Sequence, residues 1–300
     1  MAAGMTFYEI AWYFMIYSFG GWCIEVIYHA ITAGRVINRG FLCGPVCPVY
    51  GFGALSVFAM TKSLLPGLVH ISESTLEGGH DFAGILVVFF GGMILTTAVE
   101  LAAGWLLDIA FHARWWDYSD QPFNLHGYIC VRFSIIWGLA VVLVVRVVQP
   151  SMEDSLLLRI PERFGWPFLA VSYGFYLADF VVTVMIVAGL NRKLKELDEL
   201  QKRMRVFSDG LSEKIGTGTM RAQQTMEEQR VQAALAKYET RDAIRKQLKE
   251  LQDNAEKLSR ALMSGRVFGS RRILAAFPRM RHRRYEDVLL KIQEMLPGPR

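Results

Sequence analysis

Five long apolar runs occupy the first 190 residues of this chain of 300 residues. They cover approximately residues 7–31, 46–65, 82–110, 129–148 and 166–190. Each is about 20 residues long or longer, which is the length that a helix needs to cross the ~30 Å hydrocarbon layer of a bilayer. A soluble helical core can supply one or two such runs but not five in succession. The sequence therefore predicts an all-α membrane protein with five transmembrane helices.

Basic residues after the last apolar run predict the orientation in the membrane. Arg192, Lys193 and Lys195 follow this run directly, whereas no Lys or Arg precedes Arg35. The positive-inside rule places such a basic flank in the cytoplasm. With five spans, the C-terminus is then cytoplasmic and the N-terminus lies outside.

The first 150 residues contain an internal repeat, and a repeat constrains the architecture more than any single motif. The matched residues are Gly21-Trp22, Glu25, His29, Gly40 and Tyr50-Gly51 in the first copy and Gly104-Trp105, Asp108, His112, Gly127 and Trp137-Gly138 in the second. Each copy has two spans, so both copies cross the membrane in the same sense. We therefore predict a core of two parallel two-helix repeats within 1–150, at about 7–65 and 82–148, related by a pseudo-two-fold axis along the membrane normal. A loop and the fifth span follow at 151–190.

Ionisable side chains concentrate near one level of the predicted spans. Glu25 and His29 share a helix face, as do Asp108 and His112, because residues i and i+4 are neighbours on a helix. Charged groups at membrane depth are costly and usually face a bundle interior or a wet cavity. We therefore predict a polar substrate-binding site between the repeats, near the cytoplasmic side. Its candidate residues are Glu25, His29, Asn38, Arg39, Glu100, Asp108, His112, Asp117, Asn124 and Arg132.

The residue types indicate what this site would do. The carboxylates would bind a cation, a proton or a basic substrate group, and the two histidines would carry protons. Arg39 and Arg132 would hold carboxylates or a phosphate head group. The structural alternative is that buried carboxylate–arginine pairs serve only to fix the register of the helices.

No motif in the chain indicates a cofactor or a nucleotide-driven activity. Cys43 and Cys47, with His29 nearby in sequence, do not have a standard zinc-ligand spacing, so we expect no metal and no other cofactor. The chain lacks the Gly-x-x-x-x-Gly-Lys-Ser/Thr phosphate loop. It is therefore not expected to be an ATPase, and an ATP-driven activity would need a separate ATPase subunit.

Several motifs in the first half of the chain resemble those of one bacterial membrane-protein family. They include Tyr17-Ser18-Phe19-Gly20-Gly21-Trp22, Asn38-Arg39-Gly40-Phe41-Leu42-Cys43-Gly44-Pro45, Trp116-Asp117-Tyr118-Ser119, Phe123-Asn124 and Trp137-Gly138. On these residues the chain resembles the CmpB-type putative ABC-transporter permease family over about 7–150. The resemblance implies a multi-pass protein of the bacterial cytoplasmic membrane with a permease-like role.

The sequence after Leu190 is of a different kind. Apolar residues with alternating spacings of four and three, among them Leu194, Leu197 and Leu251, are typical of a coiled coil. We predict a cytoplasmic coiled coil or helical hairpin at 191–262, through which the chain would form a homo-oligomer or bind a partner protein. The basic amphipathic tail at 263–300 is predicted to bind anionic membrane lipids, with nucleic acid the less favoured partner.

These features together predict an integral membrane transport component of the permease kind. One alternative is a membrane-embedded enzyme that acts on a lipid head group, with Asp117, His126 or His112 as acid and base and Arg132 on the phosphate. The other is a membrane-anchored scaffold or sensor that assembles partners through the coiled coil. Deletion of residues 220–300 separates the last from the others, because only a scaffold would lose its activity.

Overall fold

A computed structural model describes residues 5–34, 36–64, 82–153, 160–221, 227–263 and 269–295 of the chain. The last residue of the second apolar run and two parts of the basic tail, 264–268 and 296–300, lie outside these ranges.

Most of the described residues are helical. The helices are α1 Phe7–Ala33, α2 Pro48–Ala59, α3 Phe82–Phe111, α4 Val131–Leu143, α5 Gln149–Glu153, α6 Glu162–Arg221, α7 Glu227–Met263, α8 Ser270–Ala276 and α9 Glu286–Met295. π-helical segments at Met60–Leu64 and Val144–Val148 follow α2 and α4. Four two-residue strands form two antiparallel pairs, in which β1 (Ala113–Arg114) pairs with β4 (Arg281–His282) and β2 (Asn124–Leu125) pairs with β3 (Ile129–Cys130).

Among the residues that the structure describes, four helical segments are long and apolar enough to cross a membrane. They are Phe7–Thr32, Phe82–Phe111, Val131–Met152 and Glu162–Val206. The segment that the sequence predicts as the second span is helical over 48–64, and the residues that follow it, 65–81, lie outside the described part of the chain. The prediction of an all-α membrane protein is confirmed in this coarser form, and the fifth span stays a prediction.

Helix α1 begins and ends at signals that are visible in the sequence. The Thr6 side chain accepts a hydrogen bond from the Glu9 backbone N–H (3.2 Å), and the Glu9 carboxylate accepts one from the Thr6 N–H (2.7 Å). This reciprocal capping box satisfies two backbone donors that the first turn leaves free. At the other end Gly34 adopts a left-handed conformation (φ 65°), which a residue without Cβ reaches without strain.

The described residues group into two compact units. The first unit contains the residues up to Met185 together with Arg272–Arg284, and the second contains Ile186–Arg271 and Tyr285–Leu296. All candidate site residues belong to the first unit.

Side-chain contacts give the relative directions of the first two helices. Gly21 of α1 lies against Tyr50 of α2, and Tyr13, two turns earlier, stacks edge-on against Phe58 at 5.4 Å. The chain numbers therefore increase along α1 where they decrease along α2, so the two helices are antiparallel.

The remaining helices of the first unit continue this alternation. Helix α3 runs antiparallel to α2, because Gly91 lies against Met60 and Thr96 lies nearest to Gly53. Helices α3 and α4 are antiparallel in turn, because Gly92 lies against Val141 while Glu100 bonds to Trp137. Helix α6 runs parallel to α1, with ring contacts from Tyr8 to Trp166 and from Phe14 to Tyr173. Helices α1, α3 and α6 thus run one way and α2 and α4 the other.

The apolar core of the first unit lies where these helices meet. Its buried members are Met5, Tyr13, Val57, Phe58, Met60, Val88, Val141 and Val145. Outside this core many large apolar side chains remain exposed, such as Ile94 (64%) and Phe175 (70%). Exposed apolar belts of this kind suit a helix surface that faces lipid.

The neighbouring residues Gly20 and Gly21 offer a matched test of close helix packing. A Cβ on Gly21 would lie 2.1 Å from Cγ of Tyr50, whereas one on Gly20 would meet no atom within 4 Å. We expect Gly21→Ala to lower stability by about 1–3 kcal/mol through overpacking. Gly20→Ala should raise it by about 0.5–1 kcal/mol, because alanine is the better helix former. Thermal unfolding in detergent measures both, and equal midpoints for the two variants would contradict the packing.

The second unit is a helical assembly with its own buried core. Leu194 and Leu197 of α6, Leu262 of α7, and Leu289 and Ile292 of α9 are almost fully buried. A cavity of about 310 Å³, lined among others by Leu197 and Ile292, lies within this unit, and no candidate site residue lines it. Side chains at 207–242 lie outside the described residues, so the coiled coil stays a prediction.

Candidate functional site

A group of five polar and aromatic side chains links the two antiparallel helix pairs of the first unit; we call it the glutamate cluster. Its members are Glu25 of α1, Tyr50 of α2, Glu100 of α3, Tyr118 of the loop after β1, and Trp137 of α4. The Tyr50 hydroxyl donates to Glu25 Oε1 at 2.8 Å. The Tyr118 hydroxyl donates to Glu100 Oε1 (3.2 Å) and the indole N–H of Trp137 donates to Glu100 Oε2 (3.1 Å). The rings of Tyr50 and Trp137 meet edge to face at 5.3 Å, which joins the two halves.

The Glu100 carboxylate has only uncharged donors in this arrangement. It is 8% exposed, and in the part of the chain that the structure describes no lysine or arginine pairs with it or with Glu25. An ionised carboxylate in an apolar bundle is costly without a compensating positive charge. The cluster therefore has the chemistry to take up a proton or a cation.

The Asn38 side chain holds the loop after α1 through three hydrogen bonds. Asn38 Oδ1 accepts hydrogen bonds from Trp22 Nε1 and from the Gly40 N–H, both at 2.9 Å, and its amide group donates to the Cys43 carbonyl at 2.6 Å. The Asn38 side chain thus uses both its oxygen and its nitrogen to fix the chain reversal that returns to α2.

His29 and Arg39 lie close to Glu25 of the glutamate cluster. His29 is 9% exposed, and the charges of Arg39 and Glu25 both act on its imidazole. Arg39 Nε is buried without a hydrogen-bond partner among the described residues. These two residues are therefore placed to respond to a change of charge at Glu25.

Asp179 of α6 binds the same loop and is not among the site residues predicted from the sequence. Its carboxylate accepts the backbone N–H groups of Cys43 (2.9 Å) and Gly44 (2.8 Å). A Cβ on Gly44 would lie 3.1 Å from Asp179 Oδ2, so the close approach depends on glycine. The available signal was that Asp179 is the one acidic residue in the apolar run 166–190.

A second polar group, the aspartate cluster, lies at the end of α3 and in the loop that follows it. It consists of Asp108, Arg114, Asp117, Tyr128, Arg281 and Arg283. Asp108 is fully buried, and its Oδ2 receives the Tyr128 hydroxyl, Arg283 Nη2 at 2.9 Å and, more distantly, Arg114 Nε at 3.7 Å. Asp117 Oδ2 pairs with Arg281 Nε at 2.8 Å. Both aspartates are among the site residues predicted from the sequence, whereas the tail arginines are predicted to bind lipid.

The electrostatics of Asp117 favour its ionised form. Burial acts to raise the pKa of Asp117, but hydrogen bonds from the Ser119 side chain and backbone, with the charges of Arg281 and Arg114, hold the pKa below its usual value. The pair with Arg281 therefore persists at neutral pH.

The other three candidates, His112, Asn124 and Arg132, make backbone or turn contacts or are exposed. His112 follows α3 with a positive φ of 54°, its N–H donates to the Asp108 carbonyl (2.8 Å) and its carbonyl accepts from the Arg283 N–H (2.9 Å). Asn124 closes the turn before β3, where its Oδ1 accepts the Gly127 N–H at 3.0 Å. Arg132 is exposed at the start of α4, and no hydrogen bond or ion pair joins it to either cluster among the described residues.

The ten candidate residues therefore divide into separate groups. Glu25 and Glu100 are linked by the ring contact between their hydrogen-bond donors Tyr50 and Trp137. The two aspartates instead pair with Arg281 and Arg283 of the C-terminal segment. The described residues contain no group of three or more His, Cys, Asp or Glu side chains that could hold a metal ion. Cys23, Cys43, Cys47 and Cys130 are free thiols.

His282, between the two arginines, gives the aspartate cluster a pH dependence. It is 1% exposed, and burial, then the charges of His112 and Arg284, lower its pKa to about 4 against the opposing effect of Asp108. When the pKa of a histidine is lower in the folded state than in the unfolded state, the unfolded state binds more protons in acid. The folded state is therefore destabilised as the pH drops below the unfolded pKa, which is near 6.5.

We therefore expect the β1–β4 pairing to weaken in acid. Protection of the amides of residues 281–283 from hydrogen exchange should fall about tenfold between neutral pH and about pH 5.5, after correction for intrinsic rates. His282→Asn keeps an acceptor for the Arg284 N–H but does not titrate, so its protection should stay level over this range. An equal loss in both proteins would contradict the assignment to His282.

Comparison with known proteins gives one match. A family model described as "Putative ABC-transporter type IV" matches residues 12–184, which include both clusters apart from Arg281 and Arg283. No curated protein and no solved structure matches the chain.

Proposed function

Because the chain belongs to the putative ABC-transporter type IV family, we propose that it is an integral membrane transport component whose cation- or proton-binding site is the glutamate cluster. The observation that carries this proposal is the buried Glu100 carboxylate, which is bound by Tyr118 and Trp137 and by no basic side chain among the described residues. A structural carboxylate at this depth would be expected to have a basic partner. A transport site needs a charge that a cargo can neutralise.

The position of the cluster between two helix pairs supports a site between two parallel repeats. Tyr50 and Trp137 are matched positions of the sequence repeat, and they contact each other across the two pairs. The alternating directions of α1, α2, α3, α4 and α6 support five crossings, since an odd number is needed for α6 to run parallel to α1. The segment 48–64 spans about 25 Å at 1.5 Å per residue, close to the hydrocarbon thickness.

The orientation remains that of the positive-inside rule, with the N-terminus outside and the C-terminus in the cytoplasm. In this orientation the aspartate cluster, which follows the end of α3, lies on the cytoplasmic side of the glutamate cluster. The two clusters would then mark successive positions along one path, about 12 Å apart along α3 from Glu100 to Asp108.

The cargo class that fits the glutamate cluster is a small organic cation or a proton. Two carboxylates supply negative charge, and the rings of Tyr50, Tyr118 and Trp137 supply faces that attract cations. If ATP drives the movement, the energy comes from a separate ATPase subunit, because the chain has no phosphate loop.

Counterflow in liposomes tests this function without assuming an energy source. Purified protein is reconstituted with unlabelled guanidinium inside, and the entry of labelled guanidinium from outside is followed. We expect saturable entry well above that of protein-free liposomes, with competition by protons as the pH is lowered. Entry equal to that of protein-free liposomes at every pH would contradict the proposal.

A further inference from the structure

The segment 272–284 is bound to the loops of the first unit although it lies far away in sequence. Its strand β4 pairs with β1 in the register Ala113–His282 and Arg114–Arg281, and the Arg283 N–H donates to the His112 carbonyl at 2.9 Å. The ring of Phe277 packs edge-on against Trp115 at 4.9 Å. These backbone and ring contacts fix where the arginine side chains of the segment lie.

Two of these arginines are bound by the two carboxylates of the aspartate cluster. Arg283 reaches Asp108, which has no solvent exposure, and Arg281 reaches Asp117, which is 7% exposed. Asp108 Oδ1 is buried and has no hydrogen-bond partner among the described residues. Since guanidinium groups commonly bind a carboxylate through both oxygens, Asp108 has an unused acceptor that a better-placed guanidinium would engage.

A third arginine binds at a separate place in the same unit. Arg272 donates from Nη1 to the carbonyls of Gly40 (3.0 Å) and Leu42 (3.1 Å) and from Nη2 to that of Phe41 (3.0 Å). By contrast, Arg279 is exposed and makes no hydrogen bond or ion pair within the described part of the chain. The binding is therefore specific to certain arginines and is not a general property of a basic segment.

The carboxylates are buried, but the guanidinium side chains that neutralise them are not. The side chains of Arg281 and Arg283 are 49% and 55% exposed, against 6% and 0% for Asp117 and Asp108. A guanidinium side chain that keeps about half of its surface in water loses only part of its solvation when it binds, so its exchange for another guanidinium group is not prevented by burial. This is the geometry of a preformed site with a displaceable ligand.

We propose that Asp108 and Asp117 form a binding site for guanidinium groups, and that Arg283 and Arg281 occupy it as tethered ligands that free guanidinium compounds displace. This inference rests on the proposed function in one respect, namely that the site forms the cytoplasmic entrance to the transport path. The docked segment closes that entrance, and a guanidinium cargo or a basic peptide opens it by competition. A planar guanidinium matches the paired oxygens of Asp108 better than a compact ammonium does.

Hydrogen exchange on the full-length wild-type protein tests displacement directly. Agmatine, which carries a guanidinium group, is added at millimolar concentration, and the exchange of the amides of residues 281–283 is measured. We expect exchange to rise at least fivefold with agmatine, whereas butylamine at the same concentration and ionic strength should leave it unchanged. No change with agmatine, or an equal rise with butylamine, would overturn the proposal.

Variants test the same site by equilibrium binding of labelled agmatine. Arg281→Gln with Arg283→Gln should bind agmatine at least tenfold more tightly than the wild type, because the competing ligands are gone. Arg279→Gln with Arg284→Gln removes as many charges from the same segment and should bind like the wild type. Adding Asp108→Asn and Asp117→Asn to the first pair should abolish the tighter binding and leave only the agmatine that binds at the glutamate cluster. Equal affinity in the first two variants would overturn the proposal.

These readouts are independent of transport. If agmatine displaces the segment but guanidinium does not enter liposomes, the guanidinium site stands and the transport function fails. If entry occurs and agmatine displaces nothing, the transport function stands and this inference fails.

Discussion

Glu100→Gln is expected to reduce guanidinium counterflow at least ~100-fold, which corresponds to a loss of about 3 kcal/mol of charge-dependent binding in a buried site. Glutamine has the size of glutamate and retains one oxygen that can accept a hydrogen bond from Tyr118 or Trp137. The substitution therefore removes the negative charge and the exchangeable proton while it leaves most of the packing in place. Counterflow in liposomes, with the thermal midpoint of the same preparation, separates the two effects.

A matched control for this prediction is Glu162→Gln. Glu162 is exposed in the first turn of α6, so its substitution removes the same charge at no buried contact. We expect its counterflow to be within about twofold of the wild type, since exposed charges contribute little. Unchanged counterflow in Glu100→Gln, with a folded protein, would show that Glu100 does not bind the cargo.

Asp108→Asn has the second largest expected effect, and this effect is on stability. Asparagine at 108 would leave the guanidinium groups of Arg283 and Arg114 facing a neutral amide, and the Tyr128 hydroxyl would lose a charged acceptor. Removal of one partner of a buried ion pair costs about 3–5 kcal/mol. Because both arginine side chains reach solvent, we expect the lower end, about 3 kcal/mol, together with loss of β1–β4 protection. Thermal unfolding and hydrogen exchange measure the two parts.

Glu196→Gln provides the comparison for Asp108→Asn. Its partner Lys193 lies three residues away on an exposed helix face, with the two atoms 2.7 Å apart. Exposed pairs of this kind contribute about 0.5 kcal/mol or less. If the two variants lowered the thermal midpoint equally, the ion pairs of Asp108 would contribute no more stability than an exposed pair, which would contradict the prediction.

The membrane character of the chain could be predicted because it depends on local composition. Runs of about 20 apolar residues at 82–110 and 166–190 allow only a helix across a bilayer, whatever the rest of the chain does. The sequence repeat likewise identified Tyr50 and Trp137 as matched positions. The hydrogen bonds of these two side chains to Glu25 and Glu100 were not predictable, because they depend on how the helix pairs pack.

The role of the C-terminal arginines depends on contacts between residues distant in the chain. A stretch free of acidic residues predicts attraction to any anionic surface, and lipid is the commonest such surface. The pairing of Arg283 with Asp108 depends on a neighbouring two-residue strand, which carries no sequence signal. The contacts of Arg272 with the loop carbonyls come from the short helix α8, which is at least 230 residues away from that loop in sequence. The lipid interaction of the tail therefore stays a prediction, while the bound state of three of its arginines came only from the structure.

In the helical core too, the sequence repeat does not predict which residues contact each other. Gly51 of α2 packs against Phe14 and Ser18 of α1, whereas its matched residue Gly138 packs against Phe89 and Met93 of α3. The two glycines serve the same purpose, close approach of neighbouring helices. The residues that they contact on α1 and α3 are not matched positions of the repeat.

The most direct test of the central claim, that the glutamate cluster binds the cargo cation, is an infrared difference spectrum of the protein in membranes with and without guanidinium. Binding at the cluster predicts a change in the carboxyl or carboxylate bands of the wild type that Glu100→Gln lacks and Glu162→Gln retains. An identical difference spectrum for the wild type and Glu100→Gln would contradict the claim.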